Sequence, residues 1–253
     1  MSKRKLIDMS AEEFIKRLDS GERDFRYIKL YGPKVDILGK SNERGKINLE
    51  QFKDIFLHQF GSKPWEAPLL LKGSVFRDVN LDEAWLDYMQ AEGTDFSGSD
   101  ICRAHMSNAY LVKAILNGTY LVDTEMNRTN FRDAEMKNVN IYYSAIAFSN
   151  FKRADLSNAD AFNADMREVD LRNANLENAN FRGSNLRKAK LTNANLKKAN
   201  FNDCNLSEAE LTGAYNLENV EILGANCYKT QVTDDQRAIL LPKMQLGKYM
   251  ITK

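Results

Sequence analysis

The sequence predicts an all-β solenoid, a square coil with four flat faces and twenty residues per turn. Two regularities and one mismatch point to it. Every fifth residue from Leu71 to Leu211 is large and apolar: 27 of these 29 positions are Leu, Phe, Ile or Met, the exceptions being Ala91 and Ala161. Two residues before the next large position, from Ser74 to Ala214, 28 of 29 residues are Ala, Ser, Thr, Val or Cys, and Met89 alone is large. A period of five matches neither the 3.6 of a helix nor the 2.0 of a strand, and either would scatter the apolar residues round all sides.

A coil with five residues per face gathers them inside. In this arrangement each large residue is expected to point at the axis from the middle of a face. Each small residue points inward near a corner, where volume is scarce, and the alternation fills a narrow interior densely. Backbone groups pair with the coils above and below, and stacking of neighbours supplies stability. Roughly 155 residues at twenty per coil give about eight coils and a rod of about 38 Å, at about 4.8 Å per coil.

The purest stretch, ADLSNADAFNADMREVDLRNANLENANF, repeats an A(D/N)LXX signature. This signature resembles that of the pentapeptide repeat family, and the resemblance spans residues 71–229. It implies a right-handed quadrilateral β-helix and says almost nothing about activity. Members of that family include proteins that protect DNA gyrase from quinolones and cyanobacterial regulators of heterocyst pattern.

Four segments are expected. Residues 1–30 form an N-terminal helical cap and the start of the first coil. Ser10 is placed to cap a helix over 11–19, with Glu13 at its third position, Met9 facing Phe14 as a staple and Gly21 as the stop. Phe25 and Leu30, five apart in RDFRYIKL, then open the first coil; this helix–Gly–ERDF start resembles cyanobacterial-type members. Residues 31–70 break the repeat as a helix-containing insertion. Asn48 and Gln51 fit a capping box, Ile47 and Phe52 a staple, and Leu49, Phe52, Phe56 and Phe60 an amphipathic helix over 49–60. KSNERGKINLEQF is not an EF-hand, because Lys40, Arg44 and Gln51 would stand where calcium needs oxygen ligands.

Residues 71–229 are the β-helix. After Ala214 the inward pattern resumes one residue late, as Leu217, Ile222 and Cys227 with Val220 and Ala225, so one residue is inserted near Tyr215–Asn216, as a bulge. Residues 230–253 are a helical cap and tail: Thr233 caps, Gln236 completes a capping box and Pro242 stops a helix of about 234–241.

Composition narrows the function. With 36 basic and 35 acidic residues the formal net charge is +1, which argues against a generic nucleic-acid binder and against a DNA mimic acidic over its whole surface. Cys102, Cys204 and Cys227 cannot form a disulfide framework, and with only His58 and His105 they fit no metal pattern. Cys204 and Cys227 are core residues. His105 falls one coil above Trp85, as a stacked surface pair. No catalytic, cofactor-binding or metal-binding residue is expected, so the chain is read as no enzyme. No signal-peptide run opens it and no span of 18 apolar residues occurs, so a cytoplasmic chain without a membrane segment is expected.

Binding chemistry remains. Val122, Tyr142 and Phe162 share one outward column, with Tyr143 beside it and Phe148 on the neighbouring face; they form a candidate protein-binding patch. The insertion, a second subunit in a homodimer or a foreign protein could cover it. Charge is zoned: 71–151 carries 7 basic and 11 acidic residues, 152–200 carries 10 and 6, and 201–229 carries 1 and 5. In the basic band Arg132, Lys152 and Arg172 stack, as do Arg167 and Arg187, with Arg153 and Lys188 adjacent, a candidate surface for an acidic partner. The leading expectation is a protein-interaction scaffold or regulatory adaptor. The alternative is a DNA-mimicking, gyrase-interacting protein, and after it a nucleic-acid binder.

Overall fold

The computed structural model describes residues 70–244, the strands β1 (Ile7–Ser10) and β2 (Ile28–Tyr31), and residues 13, 16–17 and 20–22. The expected insertion helix over 49–60 with its Asn48/Gln51 box, the Met9–Phe14 staple and the tail beyond Met244 lie outside the described residues.

One local pattern builds the coil. Lys72 and Gly73 form a turn that the Ser74 N–H closes onto the Leu71 carbonyl at 2.9 Å, and Val75 then bridges to Asp95, one coil on. Each following pentad repeats it. The second turn residue has positive φ at every corner, from Gly73 (66°) and Asp78 (56°) to Gly213 (77°), as a type II turn requires. Asn tolerates that conformation and recurs there; Val, Ile and Thr, for which it would be an outlier, never occupy it.

The faces differ from expectation in one respect. The large residue sits where the chain enters a corner, and the middle of each face is held by the outward residue that bridges neighbouring coils. Extended chain turns alternate residues to opposite sides, so two inward residues on one face must flank an outward one. The inward columns are sealed as predicted. Phe76 stacks on Phe96 at 5.3 Å, Phe131 on Phe151 at 4.7 Å and Phe181 on Phe201 at 5.2 Å between ring centroids, each one coil apart. Met89 and Ala91, which break the size rule in opposite senses on one face, are both fully buried and exchange volumes. From Thr94 to Ser184, buried Ser and Thr at the small positions donate to the carbonyl 23 residues earlier, as Thr119 does to Phe96 at 2.9 Å and Thr129 to Met106 at 2.7 Å; the Ser74 hydroxyl, in the first described coil, has no partner among the described residues.

The Asp or Asn of the signature occupies the bridging position. Its side-chain oxygen accepts the N–H two residues on, the first corner residue: Asp155 from Ser157 at 3.0 Å, Asn150 from Lys152 at 3.0 Å, Asn200 from Asn202 at 2.9 Å. Amides also pair between coils: Asn216 donates to Asn195, Asn195 to Asn175 and Asn175 to Asp155, at 2.8, 2.8 and 3.0 Å.

The inserted residue is real, although its conformation is a different one. Bridges join residues twenty apart up to Asn195↔Tyr215 and twenty-one apart from Asn200↔Glu221. Left-handed Asn216 (φ 61°) and a 3-10 turn at Leu217–Asn219 absorb the residue, in place of the expected bulge. Helix α1 (Asp234–Leu240) follows with the predicted capping box of Thr233 and Gln236, and Pro242 lies in the 3-10 turn Leu241–Lys243 that ends it. The Gln236 amide donates to the Leu211 and Ala214 carbonyls, both at 2.8 Å, and Lys243 donates to those of Leu217, Glu218 and Val220. These bonds tie the helix and the turn after it to the carbonyls of the last coils. At the other end β1 pairs in parallel with β2, Ile7 opposite Ile28, and Glu13, Lys16 and Arg17 between them are helical. The helix therefore lies within a turn of chain that begins at β1, earlier than the expected first coil. No described helix is long and apolar enough to cross a membrane.

Candidate protein-docking site

With two positions of each face turned inward, chemistry is confined to bridging residues and corners. The coil through Tyr142–Phe148 is unlike the others. Over one whole face and both bounding corners its bridging and corner residues are Tyr142, Tyr143, Ala145, Ala147 and Phe148; Ala147 is buried, so the surface is formed by Tyr142, Tyr143, Ala145 and Phe148, while Ser144 and Ile146 point inward. Tyr143 and Phe148 are the left-handed corner residues, at φ 60° and 63°, and remain 54% and 49% exposed. Every corner shares that backbone conformation; what sets this coil apart is that two successive corners both present an exposed aromatic ring there.

The stacking rule places the predicted patch residues as follows. Phe162 lies one coil above Tyr142 and Val122 one coil below, all three half-buried. Tyr142, Tyr143 and Phe162 form one cluster, with ring centroids 4.8 Å apart for the tyrosine pair and 6.4 and 6.0 Å from each to Phe162. Phe148 does not join it. It stands at the far corner, across Ala145, with the Arg128 guanidinium 5.7 Å over its ring. Half-buried Ala145 completes the apolar stripe over buried Ala147, and neither was singled out by sequence. The Asp and Asn normally found at bridging positions would have flagged Ala145 by its absence, and with Ala there the Ala147 N–H has no acceptor among the described residues.

The seven predicted basic residues come together on two successive corners with one face between them. Arg167, Arg187 and Lys188 occupy the corner column of Ala147 and Phe148; Arg132, Lys152, Arg153 and Arg172 occupy the next. Six of the seven are paired. Arg153 makes two bonds to Asp133 (2.6 and 2.8 Å) and Arg132 approaches the same carboxylate at 3.4 Å. Arg167 grips Asp165 and Arg172 grips Asp170 through Nε and Nη2, and Arg187 and Lys188 share Glu208. The Arg153 guanidinium holds the Asp133 carboxyl below its ordinary range. Burial pushes Asp170 up, but its bonds to Arg172 outweigh burial and leave it lowered. Lys152 alone of the seven has no ion pair among the described residues.

Elsewhere the chemistry is sparse. His105 stacks on Trp85 at 4.5 Å and its Nδ1 lies 3.0 Å from a Glu125 oxygen. Burial and the neighbouring Asp100 push the Cys102 thiol up to about 12, burial takes Cys204 to about 12 and Cys227 to about 11, and none of the three is a ready thiolate. Among the described residues no three His, Cys, Asp or Glu side chains are grouped to hold a metal.

Two family models match the sequence: a pentapeptide repeat region over residues 144–211, and pentapeptide repeats (8 copies) over 88–118, 104–141 and 189–234. No curated protein matches it. Among solved structures, trypsin-treated QnrB1, a plasmid-mediated fluoroquinolone resistance protein, is 18% identical over 72% of this chain and 90% of its own, with a TM-score of 0.44. HetL, a protein involved in heterocyst differentiation regulation in the cyanobacterium Nostoc, is 20% identical over 88% and 94%, with a TM-score of 0.34. A pentapeptide repeat protein from the thylakoid lumen of Arabidopsis thaliana is 22% identical over 60% and 74%, with a TM-score of 0.33.

Proposed function

The chain belongs to the pentapeptide repeat family, a family of right-handed β-helices, and on that footing we propose that it is a non-catalytic scaffold that docks a partner protein on the Tyr142–Phe148 stripe. One observation carries the reading: a full face and both its corners turn apolar in a single coil, with two aromatics held exposed in left-handed backbone. Rigid aromatic anchors of this kind supply most of the energy in protein interfaces, and a solenoid holds them without an ordering cost. A DNA-mimicking role would need an acidic surface along the rod, and the basic corners between Lys152 and Lys190 interrupt it.

Tyr143→Ser/Phe148→Ser removes the two exposed rings and leaves every inward residue in place. Photo-cross-linking from a benzophenone side chain at position 145 should trap a defined protein in the native lysate, and the double variant should trap it at least about tenfold less, the loss expected of a hot-spot anchor. Equal cross-linking with unchanged melting would remove the stripe as the docking surface. A second copy of this chain as the trapped species would identify the scaffold as a homodimer.

A further inference from the structure

The apolar stripe and the basic face share an edge. Phe148 ends the stripe, and in the same corner column stand Glu168 and Lys188 above it and Arg128 below. Beyond that corner, from Lys152 to Lys190, the face and its two corners carry seven cations against two carboxylates, Glu168 and Asp170. Three further carboxylates, Asp133, Asp165 and Glu208, reach in from the flanks and fix guanidinium and ammonium groups in place. Pairing through Nε and Nη2 uses one side of the Arg167 and Arg172 forks; the remaining donors of each planar group are oriented and unused. Lys152 at the corner and Lys190 at the middle of the face make no ion pair among the described residues.

We propose that the occupant of the stripe is an acidic segment of a partner protein carrying aromatic or large aliphatic anchors, which runs from the stripe round the Phe148 corner onto the basic face. The proposal rests on the docking role of the stripe. An apolar anchor beside Tyr143 and Phe148 sets the register, and carboxylates further along the segment meet cations already held in position, so little side-chain entropy is lost. A nucleic acid fits less well. Its affinity comes chiefly from neutralising many cations, and with five of the seven already paired this face offers few. The anchor contacts at the apolar stripe must supply the rest, which a peptide with apolar side chains can do and a phosphate backbone cannot.

Selection of a random twelve-residue peptide library on the intact protein tests this, with the composition of the recovered peptides as the readout. The wild type should enrich Asp and Glu together with Phe, Trp, Tyr and Leu. Lys152→Glu/Lys190→Glu breaks no ion pair of the described chain and should lose the acidic enrichment while keeping the apolar one. The tightest wild-type peptide should bind this variant about tenfold more weakly, the sum of two exposed ion pairs, and should weaken with added salt. Apolar enrichment without acidic residues would overturn the acidic occupant and leave the stripe standing. Recovery of the same peptides by Tyr143→Ser/Phe148→Ser would overturn the stripe itself, and tighter binding of single-stranded DNA than of any selected peptide would overturn the choice of a protein partner.

Discussion

The coils up to Phe148 and those from Asn150 onward share one core and one backbone ladder, yet their outward columns follow different rules. In the later region every bridging residue from Asn150 to Asn205 except Lys190 is Asp or Asn, each accepting the N–H that begins the next corner. In the earlier region the bridging positions hold Val75, Trp85, His105, Tyr110, Ile115, Tyr120 and Ala145, with Gln90, Glu125 and Glu135, among five Asp and Asn. The fold tolerates both because coil-to-coil bonds and inward packing do not pass through these side chains. What the earlier region gives up is local turn stabilisation; what it presents instead is aromatic and apolar surface. Comparison of the two halves therefore separates residues kept for folding from residues kept for binding.

The strongest way to break this comparison is to show that the cores differ after all. Leu116 and Leu176 lie in one inward column on opposite sides of the boundary, both fully buried. Leu116→Ala and Leu176→Ala should each cost about 2–5 kcal/mol, the transfer of three carbon atoms plus the cavity left behind. Urea unfolding of the two variants should give similar losses. A much smaller loss for Leu116→Ala would mean that the earlier coils are loosely packed, and that their irregular surface reflects weak folding instead of recognition.

A finer cut exchanges the bridging residues. Asn175 accepts from the Glu177 N–H (3.3 Å) and from Asn195 (2.8 Å) and donates to Asp155 (3.0 Å), so Asn175→Ala should lower stability by about 1–3 kcal/mol. Ala145→Asn runs the other way, giving the Ala147 N–H an acceptor and raising stability by about 0.5–1 kcal/mol. It also sets a polar group in the middle of the stripe, so peptide capture should fall as the melting temperature rises. Opposite signs for stability and binding in one variant would sharpen the division; a loss of both would erase it.

Sequence alone revealed the inward columns nearly completely, since burial at a fixed period leaves a compositional trace at every fifth residue. It misplaced the large residue on the face, because a period of five does not by itself say where the turns fall. The absence of Val, Ile and Thr two positions after each large residue would have located the left-handed corners. The slip after Ala214 was countable, but a bulge and a 3-10 turn both insert one residue, and only the backbone separates them. At the site, Val122, Tyr142 and Phe162 were legible because residues twenty apart must stack. Ala145 and Ala147 were not, since a small residue is conspicuous only once Asp or Asn is known to belong at the bridging position. The pairing of Arg167 with Asp165 needed the face geometry as well: Asp165 bridges, Met166 points inward, and Arg167 at the start of the corner lies on the same outward side as Asp165.

The smallest expected effect contrasts two aspartates by pH. In the later region Asp170, despite burial that raises it, is held below the ordinary value of 3.8 by Arg172. A depressed carboxyl contributes stability above its unfolded value, and that contribution disappears as pH falls through the folded one. Asp87 in the earlier region has the reverse sign: burial raises its carboxyl, and the Ser107 N–H, donated at 2.6 Å, offsets only part of this. Its folded form favours the proton, so its contribution is present below pH 3.8 and is lost as pH rises through the raised value. At neutral pH, Asp87→Asn should therefore melt higher than the wild type, with the gain fading as pH falls toward 4, whereas Asp170→Asn should melt lower at neutral pH and converge with the wild type in acid. Thermal melts of both variants between pH 3 and 7 measure the two slopes. Slopes of the same sign would show that Asp87 and Asp170 do not differ in the way their surroundings require.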